Sequence, residues 1–170
     1  MLKVLITGPE SSGKTKLAQF LARQFQSPWV PEFARTYLGV LDRPYDKEDV
    51  LVILNGQLRL QNQRDNVKLL FCDTGPEVIH VWSEVKYGAV DPYISKQVQK
   101  VEYDLRLLCY PDLAWEPDPL REAPNEESRK ALFEKYVDLL ERYNKPYHII
   151  RGQGTAREQL AKSHVLALLE

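Results

Sequence analysis

Gly8-Pro9-Glu10-Ser11-Ser12-Gly13-Lys14-Thr15 matches the pattern G-x-x-x-x-G-K-[ST] without a mismatch. The apolar run Val4-Leu5-Ile6 precedes it, and Leu17, Leu21 and Phe25 recur every four residues after it. A short apolar run closed by glycine reads as a buried strand, and a four-residue apolar recurrence reads as a helix stripe. Strand, glycine loop and helix are the order in which backbone N–H groups at a helix N-terminus converge on an anion. Gly8 and Gly13 permit the close backbone approach that a Cβ would obstruct. Lys14 reaches the outer phosphates of a nucleoside triphosphate, and the Thr15 hydroxyl is a ligand for Mg²⁺. The stretch therefore predicts an ATP-Mg²⁺ site held by Gly8, Glu10, Ser11, Ser12, Gly13, Lys14 and Thr15.

Outward from the loop, short apolar runs alternate with helical patterns. Trp29-Val30 reads as a second strand, ended by Pro31-Glu32. A helical region is interrupted from Gly39 to Tyr45 and resumes at Asp46, an N-cap with Asp49 completing a capping-box pattern. That helix extends to about Asn66. Lys68 to Cys72 is a strand, and Pro76 suits the first turn of a helix with Val78, Trp82 and Val85 on its stripe. Pro92 to Lys100 is a short helix, Leu105 to Cys109 a strand, Arg129 to Tyr143 an amphipathic helix. Tyr147 to Ile150 and Glu158 to Leu169 close the chain as strand and helix. Such alternation predicts an α/β fold with a central parallel sheet of about five strands, helices on both faces in three layers. One domain over 1–170 is expected, with the proline-rich, acidic stretch of about 111–125 as a lid-like loop.

Composition narrows the function classes. A formal net charge of -1 gives no basic face for nucleic acid, and no Lys/Arg run marks one. No apolar run approaches the roughly 20 residues that span a bilayer, and the first strand is too short for a secretory signal. Two cysteines, Cys72 and Cys109, lie in apolar strands and read as reduced, buried thiols of a cytoplasmic protein. His80, His148 and His164 show no metal-ligand spacing. The oligomeric state is not legible.

Asp73 ends the strand Leu69-Leu70-Phe71-Cys72. An acid there sits near Mg²⁺ in phosphate-loop proteins, directly or through water; the competing reading is an N-cap for the helix at Pro76.

Several segments together resemble one family. The phosphate loop, Trp29-Val30-Pro31-Glu32-Phe33-Ala34-Arg35, Leu70-Phe71-Cys72-Asp73-Thr74 and Trp82-Ser83-Glu84-Val85 are similar to the nicotinamide riboside kinase domain of NadR-type NAD-salvage proteins. The likeness continues through Tyr103-Asp104-Leu105 and Trp115-Glu116-Pro117-Asp118-Pro119-Leu120-Arg121. It implies the P-loop kinase fold and transfer of the ATP γ-phosphoryl to the ribose 5′-hydroxyl of nicotinamide riboside, giving nicotinamide mononucleotide. Small molecules are then the expected partners. Larger members carry a nucleotidylyltransferase domain, and some a DNA-binding module; this chain starts at the kinase strand, so neither activity is carried over. Gly75-Pro76 also replaces a further acid of the family pattern.

Within that reading Glu32 accepts or orients the 5′-hydroxyl proton, with Asp73 the other candidate. Arg35, three residues on, binds ribose or phosphate or pairs with Glu32. Arg121 is a lid arginine for the transferring phosphoryl group or a solvated side chain. Trp29, Trp82 and Trp115 are candidates to stack on the cationic nicotinamide ring, against core packing for Trp82. Asp104 and Asp112 hold sugar hydroxyls or cap. Gly152, in Arg151-Gly152-Gln153-Gly154-Thr155, passes the adenine by analogy with nucleotide kinases, or lies in a turn that Thr155 caps. Two rival functions stand beside this one: a kinase of another nucleoside, and a non-catalytic ATP-binding sensor module. A GTPase is disfavoured because no Asn-Lys-x-Asp signature follows a later strand.

Overall fold

A computed structural model describes residues 1–64, 67–117 and 125–170. Strands β1 (Leu2–Thr7), β2 (Trp29–Val30), β3 (Leu69–Asp73), β4 (Leu105–Cys109) and β5 (His148–Ile150) form one sheet in the order β2-β3-β1-β4-β5. Every pairing is parallel. β3 and β4 are buried throughout, so Leu69-Leu70-Phe71-Cys72 reads as a continuous apolar run rather than an alternating one, and β4 is apolar apart from Arg106.

Helices cover both faces. Helices α1 (Lys14–Gln24) and α7 (Gly154–Leu169) pack on Val4, Ile6, Phe71 and Leu107. The opposite face carries α2 (Phe33–Gly39), α3 (Lys47–Asn62), α4 (Pro76–Tyr87), α5 (Pro92–Lys100) and α6 (Glu126–Arg142). The expected three-layer P-loop kinase architecture is what the chain adopts.

Register positions the site. Ile6 lies opposite Asp73 in the β1–β3 pairing, so β3 ends beside the start of the phosphate loop. The sheet order also makes β1 the central strand, flanked by β3 and β4. In open parallel sheets ligands bind beyond the carboxyl ends of such strands.

Several boundaries differ from the expected ones. Helix α3 ends at Asn62, α6 begins at Glu126 with Asn125 as its cap, and α7 begins at Gly154 with Gln153, not Thr155, at the cap position. Asp46 and Asp49 do form the full capping box. On α4 the buried positions include Ile79, His80, Val81 and Ser83, whereas Val85 is 52% exposed. The stripe Val78-Trp82-Val85 therefore turns from the core towards the site.

One buried pair was not legible. Arg106 sits mid-strand in β4 and donates from Nε to Glu77 Oε1 at 3.1 Å, both side chains buried. Its other nitrogens donate to the Tyr103 and Val101 carbonyls. Burial raises the Glu77 pKa, and Arg106 opposes that rise. Breaking such a pair leaves an uncompensated buried charge. It also explains Gly75: a Cβ there would lie 2.8 Å from both Glu77 Oε2 and Tyr103 Oη. No acidic side chain fits at that position.

Candidate active site

The phosphate loop is shaped by its backbone. Gly8 has φ +132, and a Cβ on it would meet the Cys109 carbonyl oxygen at 2.7 Å. Gly13 has φ +76, and a Cβ there would meet Leu113 Cδ1 at 2.7 Å. Non-glycine residues are excluded at both places by space as well as by conformation. Ser12 Oγ donates to the Pro9 carbonyl at 2.6 Å, and Lys14 Nζ donates to the same oxygen at 2.7 Å. Gly13 caps α1 without a side-chain hydrogen bond, so the first-turn N–H groups remain directed at the loop's concavity.

A residue that sequence reasoning missed holds this loop from behind. Arg157 of α7 is buried and donates from Nη2 to the Ser12 carbonyl at 2.6 Å and from Nη1 to Asp112 Oδ1 at 2.9 Å. It also reaches the Gly152 and Tyr110 carbonyls. Asp112 accepts from the Gly152 amide at 2.7 Å as well. Asp112 and Gly152 thus form a brace under the loop, and neither lines the cavity described below. Asp104 likewise accepts from the Lys3 amide.

Thr15 Oγ1 donates to Asp73 Oδ2 at 2.6 Å. Asp73 is buried, and its Oδ1 has no hydrogen-bond partner among the described residues. Burial and then the nearby charge of Glu32 push its carboxyl up to about 6, against Thr15, Lys14 and Arg35. A hydroxyl and a carboxylate with a spare oxygen are hard donors suited to Mg²⁺, which binds through one or two protein oxygens and substrate phosphates. Among the described residues no group of three or more His, Cys, Asp or Glu could form an all-protein metal cage.

A cavity of about 820 Å³ opens from the loop, within the usual size range of small-molecule sites. Its floor is residues 8–16, and Glu32 and Arg35 stand on its α2 side. Arg35 Nε lies 3.3 Å from Glu32 Oε2. Glu32 is the N-cap residue of α2 but makes no side-chain cap bond, so its carboxylate is not spent on the helix end.

The three tryptophans separate. Trp82 lines the cavity, and its Nε1 donates to Tyr45 Oη at 2.8 Å. The rings meet edge to face at 4.9 Å, and Lys86 stands over the Tyr45 ring and bonds its hydroxyl. Trp29 does not join them. Parallel register pairs it with Phe71, which places it on the α1 face of the sheet, packed against the core there. Strand alternation sends Val30, not Trp29, to the other side. Trp115 is absent from the cavity lining, although its neighbours Ala114 and Glu116 line it. Its segment rests on the loop: Glu116 N donates to Ser11 Oγ at 3.1 Å, and Lys16 pairs with Glu116 at 3.2 Å. Arg121 lies outside the described residues. Tyr136 of α6 is buried yet borders the cavity; Tyr45, in an irregular loop, carried no sequence signal.

Comparison with known proteins fits this geometry. A family model described as an AAA domain matches residues 3–157. The trifunctional NAD biosynthesis/regulator protein NadR of Salmonella typhimurium is 25% identical over 147 residues, 83% of this chain and 36% of the relative. The chain thus spans about a third of the length of that curated relative. A crystal structure of NadR protein in complex with NR superposes with a TM-score of 0.82 at 24% identity, covering 98% of this chain and 51% of that one. A deoxyadenosine kinase from M. mycoides does so with a TM-score of 0.67 at 13% identity, covering 98% of this chain and all of the other. Likenesses this distant in sequence establish the fold, that of P-loop kinases.

Proposed function

Since the chain belongs to the AAA domain family over residues 3–157, we propose that it is an ATP-dependent kinase of the ribose 5′-hydroxyl of nicotinamide riboside, forming nicotinamide mononucleotide. The observation that carries a transferase rather than a nucleotide sensor is the pair of acids at the loop. Glu32 borders the cavity next to the loop that would hold the γ-phosphate, and Asp73 bonds Thr15. Nucleotide sensing requires no acid on the acceptor side.

In this reading the loop amides and Lys14 hold the triphosphate, and Thr15 with Asp73 takes Mg²⁺. When held there, Mg²⁺ would supply charge neutralisation at the phosphates. Glu32 accepts a hydrogen bond from the 5′-hydroxyl and aligns its oxygen with the γ-phosphorus, while Arg35 restrains the Glu32 carboxylate. Phosphoryl transfer asks mainly for alignment and charge neutralisation, which these groups supply. Trp82, which lines the cavity and is held by Tyr45, offers an aromatic face to a cationic base. From the lid-like segment of about 111–125, Arg121 is the proposed arginine for the transferring phosphoryl group and Trp115 a further candidate to stack on the base. The named acceptor is supported by the NadR likeness, whose solved relative holds NR.

An ADP-release assay across nicotinamide riboside, nicotinic acid riboside, uridine and adenosine tests this. Nicotinamide riboside is expected to give the highest kcat/KM, with release abolished in Lys14→Ala. ATP binding without ADP formation from any riboside would remove the kinase reading; a preference for adenosine or uridine would replace the acceptor.

A further inference from the structure

Helix α3 contributes no residue to the cavity lining, yet two of its residues meet the turn that carries Glu32. The Gln57 side chain is buried. Its Oε1 accepts from the Phe33 amide at 2.7 Å, and its Nε2 donates to the Pro31 and Asp73 carbonyls, each at 3.3 Å. Residues 31 and 33 bracket Glu32, so one primary amide holds both sides of Glu32 and the end of β3 together. A terminal amide has two donor hydrogens and an acceptor oxygen, and all are engaged here.

A second observation concerns the neighbouring residue. Gly56 lies within α3, where glycine weakens a helix. A Cβ on it would sit 2.2 Å from Phe33 Cε1 and 2.4 Å from Phe33 Cδ1. The Phe33 ring therefore rests directly on helix backbone. Side chain and main chain of Phe33 are both received by consecutive positions of α3, with no slack for the turn to slide.

The amide of Phe33 is the first in α2, one of the donors that a helix leaves without an internal partner. An N-cap side chain serves the second or third amide of a helix, not the first, so the Phe33 amide needs a partner from elsewhere. Gln57, from a different helix, supplies it. Glu32 itself makes no cap bond, and the turn that carries it is held by Gln57 from outside.

We propose that Gln57 is a positioning residue, a cap supplied by α3 that fixes Glu32 relative to Asp73 across the phosphate loop, with Gly56 as the seat that makes the register unique. The kinetic consequence rests on the riboside-kinase reading above; the structural one does not. Losing the amide lets the Glu32 turn wander while the loop, held by Arg157, stays in place. Alignment at the acceptor is then lost and ATP binding is kept.

The test uses the full chain with Gln57→Ala, and Gln57→Met, of similar length but without the amide, should the alanine protein fail to fold. Amide hydrogen exchange by NMR reads the cap without substrate. Phe33 N–H is expected to exchange at least tenfold faster, with Leu5 and Ile6 unchanged. In the riboside assay kcat is expected to fall at least tenfold while the ATP dissociation constant moves less than twofold. Unchanged Phe33 exchange would overturn the cap, and so would exchange rising equally at Leu5, which marks general loosening. Faster Phe33 exchange with kcat unaltered would overturn the positioning role. If the wild-type protein phosphorylates no riboside, the kinase reading fails, and Phe33 exchange still decides whether Gln57 is the cap.

Discussion

Thr15 Oγ1 and Asp73 Oδ2 are 2.6 Å apart, a hydrogen bond that joins the first turn after the phosphate loop to the end of the neighbouring strand. The carboxyl so held is buried and pushed up to about 6 from an ordinary 3.8. The folded protein therefore binds this proton more tightly than the unfolded chain does. The cost of ionising Asp73 is absent below about pH 4 and fully present above about pH 6. Asp73→Asn is expected to melt above wild type at pH 7.5, by on the order of 1–3 kcal/mol in the ligand-free protein, and level with it near pH 4. Paired thermal melts check the sign; an equal difference at both pH values would refute it. Turnover is expected to fall sharply in the same variant, because a neutral amide oxygen holds Mg²⁺ more weakly than a carboxylate. In wild type, Mg²⁺-dependent activity should fall as pH drops through about 6.

Glu32→Gln removes the proposed proton acceptor while preserving shape. Its kcat is expected to fall by about 10²–10⁴-fold, the usual contribution of a positioned acid or base. ATP affinity, measured by calorimetry, should not change, since Glu32 lies beyond the transferring group. Equal losses in ATP binding and turnover would instead make it a nucleotide ligand.

Arg157→Ala withdraws donors from the Ser12 carbonyl and leaves Asp112 without its guanidinium partner. The buried Ser12 carbonyl so orphaned costs about 1–3 kcal/mol. Weaker ATP binding, by about tenfold or more, is expected together with a lower Tm. Retained ATP affinity at a lowered Tm would show that Arg157 supports the fold alone.

Trp82→Ala tests the aromatic wall. If its ring faces a cationic base, KM for nicotinamide riboside should rise by about 3- to 30-fold, with KM for ATP unaffected. Uridine, which is uncharged, should be less sensitive. The steady-state comparison of both acceptors distinguishes ring–cation attraction from general loss of packing.

Gly75→Ala places a methyl 2.8 Å from Glu77 Oε2 and Tyr103 Oη. Overpacking of this kind costs about 1–3 kcal/mol, measurable as a lowered urea midpoint. A neutral result would mean that the Glu77–Arg106 pair moves aside.

Which of these residues could be read from the chain follows from the range of the forces that place them. The phosphate loop, the Asp46–Asp49 capping box and Pro76 at a helix start are local arrangements, complete within a few residues. Asp73 was legible because a strand end is a local event, and its partner Thr15 because the loop motif names it. The position of Trp29 was not, since the side it faces depends on its register with Phe71 in a strand of another segment. Arg157 reaches a carbonyl 145 residues away, and its own helix gives no sign of that. Gly56 answers to the Phe33 ring, which comes from another helix, so its own segment gives no reason for it. Trp82 shared one stripe with Val78 and Val85, and a stripe that lines a hollow has the same period as one that fills a core.

The two ends of the cavity are made of different material. At the donor end the contacts are main-chain amides whose course is dictated by Gly8 and Gly13 and braced by Arg157, so exchanging side chains there gains little and breaks much. At the proposed acceptor end the wall is side chains borne by α2, α4 and α6. Substitutions on those helices can redraw the pocket for a different sugar or base while the triphosphate grip stays as it is. Such a division lets one scaffold change its acceptor over evolutionary time without ever passing through a protein that has lost ATP.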